Sequence, residues 1–191
     1  MKKKLLSKLF LGLTAILLFS FSYQKSHAQM FELGDKDLNI GLGLGSTFYT
    51  GAGWSTTLPP LSLSMDYGFK DDVGPGVIGL GGYLGVASHK WENTIFTSWG
   101  WKYTTIVVAA RGTYHMDFIE NFDTYGGVHL GLRYSSSKEI GTVVGGISED
   151  GAYLLFNLFV GGKYYVTENI AILGELGYSV AWLTIGATFK L

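Results

Sequence analysis

The chain has 191 residues, 28 of them glycine and none cysteine, with 15% charged residues and a formal net charge of −1. Soluble domains carry roughly 25% charged residues, and the usual glycine content of about 7% would give about half as many glycines. The composition excludes a disulfide scaffold, shows none of the basic surplus that nucleic-acid binding needs, and suits one domain rather than two.

The chain opens with Lys2, Lys3, Lys4 and Lys8, followed by an apolar run over 9–21. That run is shorter than the roughly 20 residues a helix needs to span a bilayer. Ser26, His27 and Ala28 then supply the small-residue pattern of a signal-peptidase site, which predicts cleavage before Gln29. The expected organisation is a signal peptide over 1–28 and a single domain over 29–191. No cysteine follows the apolar run, so lipoprotein anchoring is excluded. Removal of the leader takes away five lysines and no acid, leaving a formal charge of about −6.

From 38 to 50 the even positions Leu38, Ile40, Leu42, Leu44 and Phe48 alternate with Asn39, Gly41, Gly43, Gly45 and Thr47. Period two with one apolar face is a strand. In a soluble sandwich the second face would carry charges into water. Here it is mostly small, as suits the lumen of a narrow barrel. The alternation recurs with Leu61, Leu63, Met65, Tyr67 and Phe69, then Ile78, Leu80, Leu84 and Val86, then Ile106, Val108, Ala110 and Tyr114. It continues with Val128, Leu130, Leu132 and Tyr134, then Leu154, Phe156, Leu158, Val160 and Tyr164, then Ile170, Ile172, Leu176 and Tyr178. Leu183, Ile185, Ala187, Phe189 and Leu191 close the series. Eight alternating segments of about ten residues predict an all-β fold, an eight-stranded antiparallel up-and-down transmembrane β-barrel exported to a bacterial outer membrane.

Segment ends and links agree with that fold. Even-numbered segments end outward in Phe69, Tyr114, Tyr164 and Phe189, and odd ones in Phe48, Tyr134 and Tyr178, which predicts two aromatic girdles on opposite rims. The third segment, ending near Ser88 and His89, lacks one. Short turn-like links at 71–75, 117–123 and 167–169 alternate with longer ones at 51–57, 90–100 and 136–150. Short turns belong on the periplasmic side and long loops outside. Pro59 and Pro60 are placed at the start of the second strand, where a missing N–H is tolerated.

Projecting the same parity inward collects Asp66, Arg111, His129, Arg133, Lys163 and Glu175, with Tyr83, Tyr125 and Asn157. Counted from the periplasmic ends, Asp66, Arg111, His129 and Glu175 fall at similar heights near mid-barrel. Unpaired charge in so confined a space is costly, so a paired polar network that plugs the lumen is expected ahead of a narrow conduit or a catalytic pocket. Ser88 and His89 lie near the outer rim, but adjacent strand residues point to opposite faces, and no acid is placed to orient the imidazole. The histidine spacing supports no metal site. The glycines of 41–45 sit inside an alternating strand and open no helix, so they form no nucleotide-binding loop. Trp91, Phe96, Trp99 and Trp101 concentrate aromatic surface in one outer loop and are candidates for contact with an extracellular ligand.

The closing run YYVTENIAILGELGYSVAWLTIGATFKL resembles the last two strands and preceding turn of small porin-like outer-membrane barrels of Bacteroidetes type, similar in architecture to the eight-stranded OmpA/OmpX barrels. The resemblance implies no enzyme and no cofactor, outer-membrane lipid as surroundings, and insertion by the barrel assembly machinery reading the outward residues Leu183 to Leu191. The usual terminal aromatic is replaced by Leu191, with Phe189 two positions earlier. The expected role is a structural or surface-interaction protein with a closed lumen. A small pore or transporter is the alternative, and a lipid-modifying enzyme comes third.

Overall fold

The computed structural model describes residues 30–49, 51–93, 99–141 and 150–191. The leader, its cleavage point and Phe96 lie outside the described residues. Eight strands follow one another in chain order: β1 (Lys36–Ser46), β2 (Trp54–Val73), β3 (Gly76–Asn93), β4 (Trp99–Ile119), β5 (Phe122–Gly141), β6 (Gly151–Tyr165), β7 (Ile170–Gly177) and β8 (Ala181–Lys190). Each pairs antiparallel with the next, and β1 pairs with β8, closing the barrel. Closure pairs the strand edges that an open sheet would leave bare. No helix among the described residues is long and apolar enough to cross a membrane.

Large hydrophobic side chains cover the outside. Leu130, Leu154, Phe156, Leu158 and Val160 are between 59% and 87% exposed, which in water would be a severe exposure of apolar area. Many inward positions are glycine because the large lumen side chains leave no room beside them. A Cβ on Gly41 would lie 2.3 Å from Cγ2 of Thr184, and one on Gly161 would lie 2.5 Å from the Tyr125 ring. Phe69, Tyr164 and Phe189 face outward towards the rim that holds the short turns and both ends of the described barrel, and Tyr114 donates to the Val73 carbonyl there at 2.6 Å. Tyr134 and Tyr178 face outward towards the other rim, where Tyr178 meets Trp182 edge-on at 4.9 Å.

Three expectations are corrected. Phe48 belongs to no girdle: Gly45, at φ +70°, ends the regular alternation, and the chain turns Phe48 over the barrel mouth onto buried lumen residues. Pro59 and Pro60 lie within β2 rather than at its start, at a bulge between Leu58 and Leu61 that accommodates their missing N–H groups. The long links at 51–57 and 90–100 are largely strand, since Trp54 pairs with Trp91 and Asn93 with Trp99.

The wall is consequently lopsided. β2 to β5 run 18 to 21 residues, about twice what a tilted strand needs to cross a bilayer, whereas β7 has 8 and β8 has 10. The opposite rim is tight. Ile119 and Phe122 flank a two-residue turn in which Asn121 adopts φ 61°, a left-handed conformation that asparagine tolerates better than most residues.

Candidate functional site: the filled lumen

The ladder explains why the central charges meet. Asp66 pairs with Gly81, Gly81 with Arg111, and Arg111 with His129, so the four lie on one row across β2 to β5. Gly81 has no side chain to stand between the arginine and the aspartate. Arg111 Nε donates to Asp66 Oδ1 at 2.8 Å, Nη2 donates to Glu175 Oε2 at 2.8 Å from across the lumen, and Nη1 lies 3.0 Å from His129 Nε2. The guanidinium also sits 4.1 Å from the Phe159 ring centroid, and the Tyr125 hydroxyl donates to Glu175 at 3.0 Å. Arg111 and Asp66 are wholly buried, so this is a desolvated cluster in which each charge depends on its partners.

A second layer lies below it, towards the short-turn rim. Lys163 Nζ donates to Asp37 Oδ2 at 2.8 Å and lies 3.5 Å from Asp66 Oδ2 and 3.9 Å from Asp123 Oδ2. Tyr165 donates to the same Asp37 oxygen at 2.9 Å, and His115 Nδ1 stands 2.7 Å from Asp123. Asn39 ties the layers to the seam of the barrel, donating to Asp66 at 3.0 Å and accepting from Thr188 at 2.7 Å. Sequence parity had not brought Asp37, Asn39, His115, Asp123 or Tyr165 into the cluster, although all five share the inward parity of their strands.

Both ends of the charged stack are covered. At the short-turn rim the segment before β1 folds into the opening: Phe31 is completely buried, stacks on His115 with centroids 3.9 Å apart, and places its ring 5.4 Å from Lys163 Nζ. Lys190 Nζ secures this segment by donating to the Met30 carbonyl at 2.9 Å and pairing with Asp35 at 2.6 Å. Nothing in the local sequence around Phe31 signals this, because its burial depends on the closed barrel. At the other end Tyr83, Val107, Ala109, Leu155 and Val180 form an apolar layer, with Phe48 packed on it.

Arg133 is corrected out of the central network. It lies four residues up β5 from His129, and its guanidinium is held between the rings of Phe48 (4.7 Å) and Tyr153 (4.8 Å). Asn157 lines the lumen as the ladder partner of His129, and its amide nitrogen has no partner among the described residues. Ser88 and His89 form no catalytic pair: the Ser88 hydroxyl is bonded to Thr104 and to the Tyr103 carbonyl. Among the described residues no group of side chains is arranged to hold a metal.

Above the mouth, Trp54, Trp91 and Trp101 are successive ladder partners on the inner face of the tall β2 to β4 wall. With Tyr103 they line a cleft of about 260 Å³, and Trp99 meets Trp101 edge-on at 5.2 Å. Trp91, Trp99 and Trp101, expected in a loop, are therefore strand residues facing the barrel axis.

No protein-family model and no curated protein matches the chain. Solved structures do. The outer membrane protein OprG of Pseudomonas aeruginosa matches with a TM-score of 0.52 at 13% identity, over 86% of this chain and 99% of that one. The attachment invasion locus protein Ail of Yersinia pestis, in complex with the heparin analogue sucrose octasulfate, matches with a TM-score of 0.49 at 15% identity, over 83% and 95%. The N-terminal β-barrel domain of Pseudomonas aeruginosa OprF matches with a TM-score of 0.45 at 14% identity, over 84% and 98%. The chain has the eight-stranded, closed up-and-down fold of outer-membrane β-barrel proteins.

Proposed function

We propose that the protein is an integral barrel of a bacterial outer membrane with a sealed lumen, whose role is structural or is exercised through the surface that projects outside. The observation that carries the reading is the lumen itself. Two layers of buried ion pairs, covered by Phe31 at one end and by an apolar layer at the other, leave solutes no evident water-filled route. A pore would need a continuous polar path instead. The aromatic inner face of the tall wall is the surface best suited to contact an extracellular partner, because rigid rings bring large area at little entropic cost. The chain is read as no enzyme. Its central lumen charges are engaged with one another. The hydroxyl that stands beside an oriented imidazole among the described residues is Thr113 Oγ1, at 2.9 Å from His115 Nε2 with Asp123 2.7 Å from Nδ1. It is buried with both partners and closed off by Phe31 stacked on the imidazole.

Export by a signal peptide cleaved before Gln29, assembly by the outer-membrane insertion machinery and a Bacteroidetes-type origin complete the proposal, resting on the leader and the closing run of the sequence. The mature protein is expected to fractionate with the outer membrane, to begin at Gln29, and to leave vesicles impermeable to small sugars after refolding into them. A soluble periplasmic species, or one retaining the leader, would overturn the placement. Swelling of the vesicles in sugar solutions would favour a small pore.

A further inference from the structure

The ladder orders the outer face of β3, β4 and β5 into rows. Leu84, Val108 and Leu132 are register partners, and above them stand Val86, Ile106 and Tyr134. Next come Ser88, Thr104 and Ser136, and then Lys90, Lys102 and Lys138. Moving away from the short-turn rim, the wall passes from aliphatic rows, the upper one ending in Tyr134, to hydroxyl and then to ammonium. At about 3.4 Å per residue on a strand tilted by about 40°, the lysine row stands roughly 10 Å above the Tyr134 row. Lysine stems reach several ångströms along a surface while the ammonium stays in a polar layer, so these groups fall at headgroup level of the outer leaflet.

Two like-charge pairs are built into that row, since Lys102 stands directly opposite both Lys90 and Lys138. Such pairs destabilise a sheet unless something compensates them. Lys90 is compensated by Glu92, whose Oε2 lies 2.8 Å from its Nζ. Lys102 and Lys138 remain exposed as adjacent positive charges. We propose that Lys102 and Lys138, with Lys90 beside them, form a docking site for the phosphate groups of a phosphorylated glycolipid in the outer leaflet. A lipid fits better than a free anion because the row continues an apolar wall: acyl chains would lie on Leu84, Val108 and Leu132 while the phosphate meets the lysines. The inference rests on the outer-membrane placement proposed above.

The test is direct binding to the purified mature barrel in zwitterionic detergent, with three probes: bisphosphorylated lipid A, fully dephosphorylated lipid A, and inorganic phosphate. The parent should prefer the bisphosphorylated form. An interfacial lysine strengthens attraction to anionic lipid about fivefold, so Lys102→Gln with Lys138→Gln should weaken that binding about 25-fold. Binding of the dephosphorylated form should not change. The charge-retaining pair Lys102→Arg and Lys138→Arg should keep the preference, and Lys36→Gln with Lys70→Gln, at the opposite rim, should not affect it. Equal affinity for the two lipid forms, or an unchanged glutamine double variant, would overturn the proposal. Competition by inorganic phosphate at matching concentration would overturn the lipid assignment. The measurement uses purified protein, so its failure is distinct from a failure of the fractionation result.

Discussion

Replacing Arg111 with alanine is expected to cost the barrel about 3 to 5 kcal/mol of unfolding free energy, the range for breaking a buried ion pair from one side. The change strips Glu175 of its arginine and leaves it only the Tyr125 hydroxyl, while Asp66 keeps Asn39 at 3.0 Å and Lys163 at 3.5 Å. Glu175→Ala should cost less, because Arg111 retains the 2.8 Å bond to Asp66. The double variant removes both halves of the cross-lumen pair, so its cost should fall short of the sum by about 0.5 to 3 kcal/mol. Urea unfolding of the four proteins in micelles closes the cycle. Strict additivity would mean that Arg111 and Glu175 do not interact across the lumen.

The second large effect lies on the outer face of β5, the strand paired with that of Arg111. Leu130 is 60% exposed and stands between Ala110 and Phe156 in the ladder, in the middle of the apolar band. Leu130→Arg should cost about 2 to 4 kcal/mol, the penalty for charge near the bilayer midplane, whereas Leu130→Ala leaves no charge in lipid and should cost far less. Its neighbour Gly131 behaves differently. A Cβ there would lie 2.1 Å from the Val108 carbonyl oxygen and 2.6 Å from the Ala109 Cβ, so even Gly131→Ala should destabilise, through crowding rather than charge. Equal stability of Leu130→Arg and Leu130→Ala in the same titration would invert the assignment of faces.

The fold was legible because lipid outside and a crowded lumen inside impose opposite demands on alternate residues. That contrast is strongest at Leu38 to Leu44 and Val128 to Leu132, where large apolar outward residues alternate with Asn39, Gly41, Gly43, His129 and Gly131. It fails where one of the two environments ends. Towards the long-strand rim the inner face of β3 and β4 turns from small residues to aromatic ones, so the strands read as a loop, although Trp99, Trp101 and Tyr103 alternating with Gly100 and Lys102 carry the period that extends β4. At the start of β1, Asp37 stands just before the apolar pattern and Asn39 on its inward face, and closure of the ring brings Asp37 to Lys163 and Asn39 to Asp66 in the lumen. Phe31 and Phe48 were illegible for another reason: each packs on residues brought together only by the finished barrel. Arg133 shares parity with His129 but stands higher in the wall, so its charge meets the rings of Phe48 and Tyr153 instead of a carboxylate.

Single-channel conductance of the refolded mature protein in a planar bilayer measures the sealing of the lumen most directly. The parent should show no conductance steps under applied voltage, and Arg111→Ala, which unlocks the layer joining β2, β4 and β7, should show small and irregular ones. Steady, well-resolved openings of the parent would contradict a lumen closed by its own ion pairs.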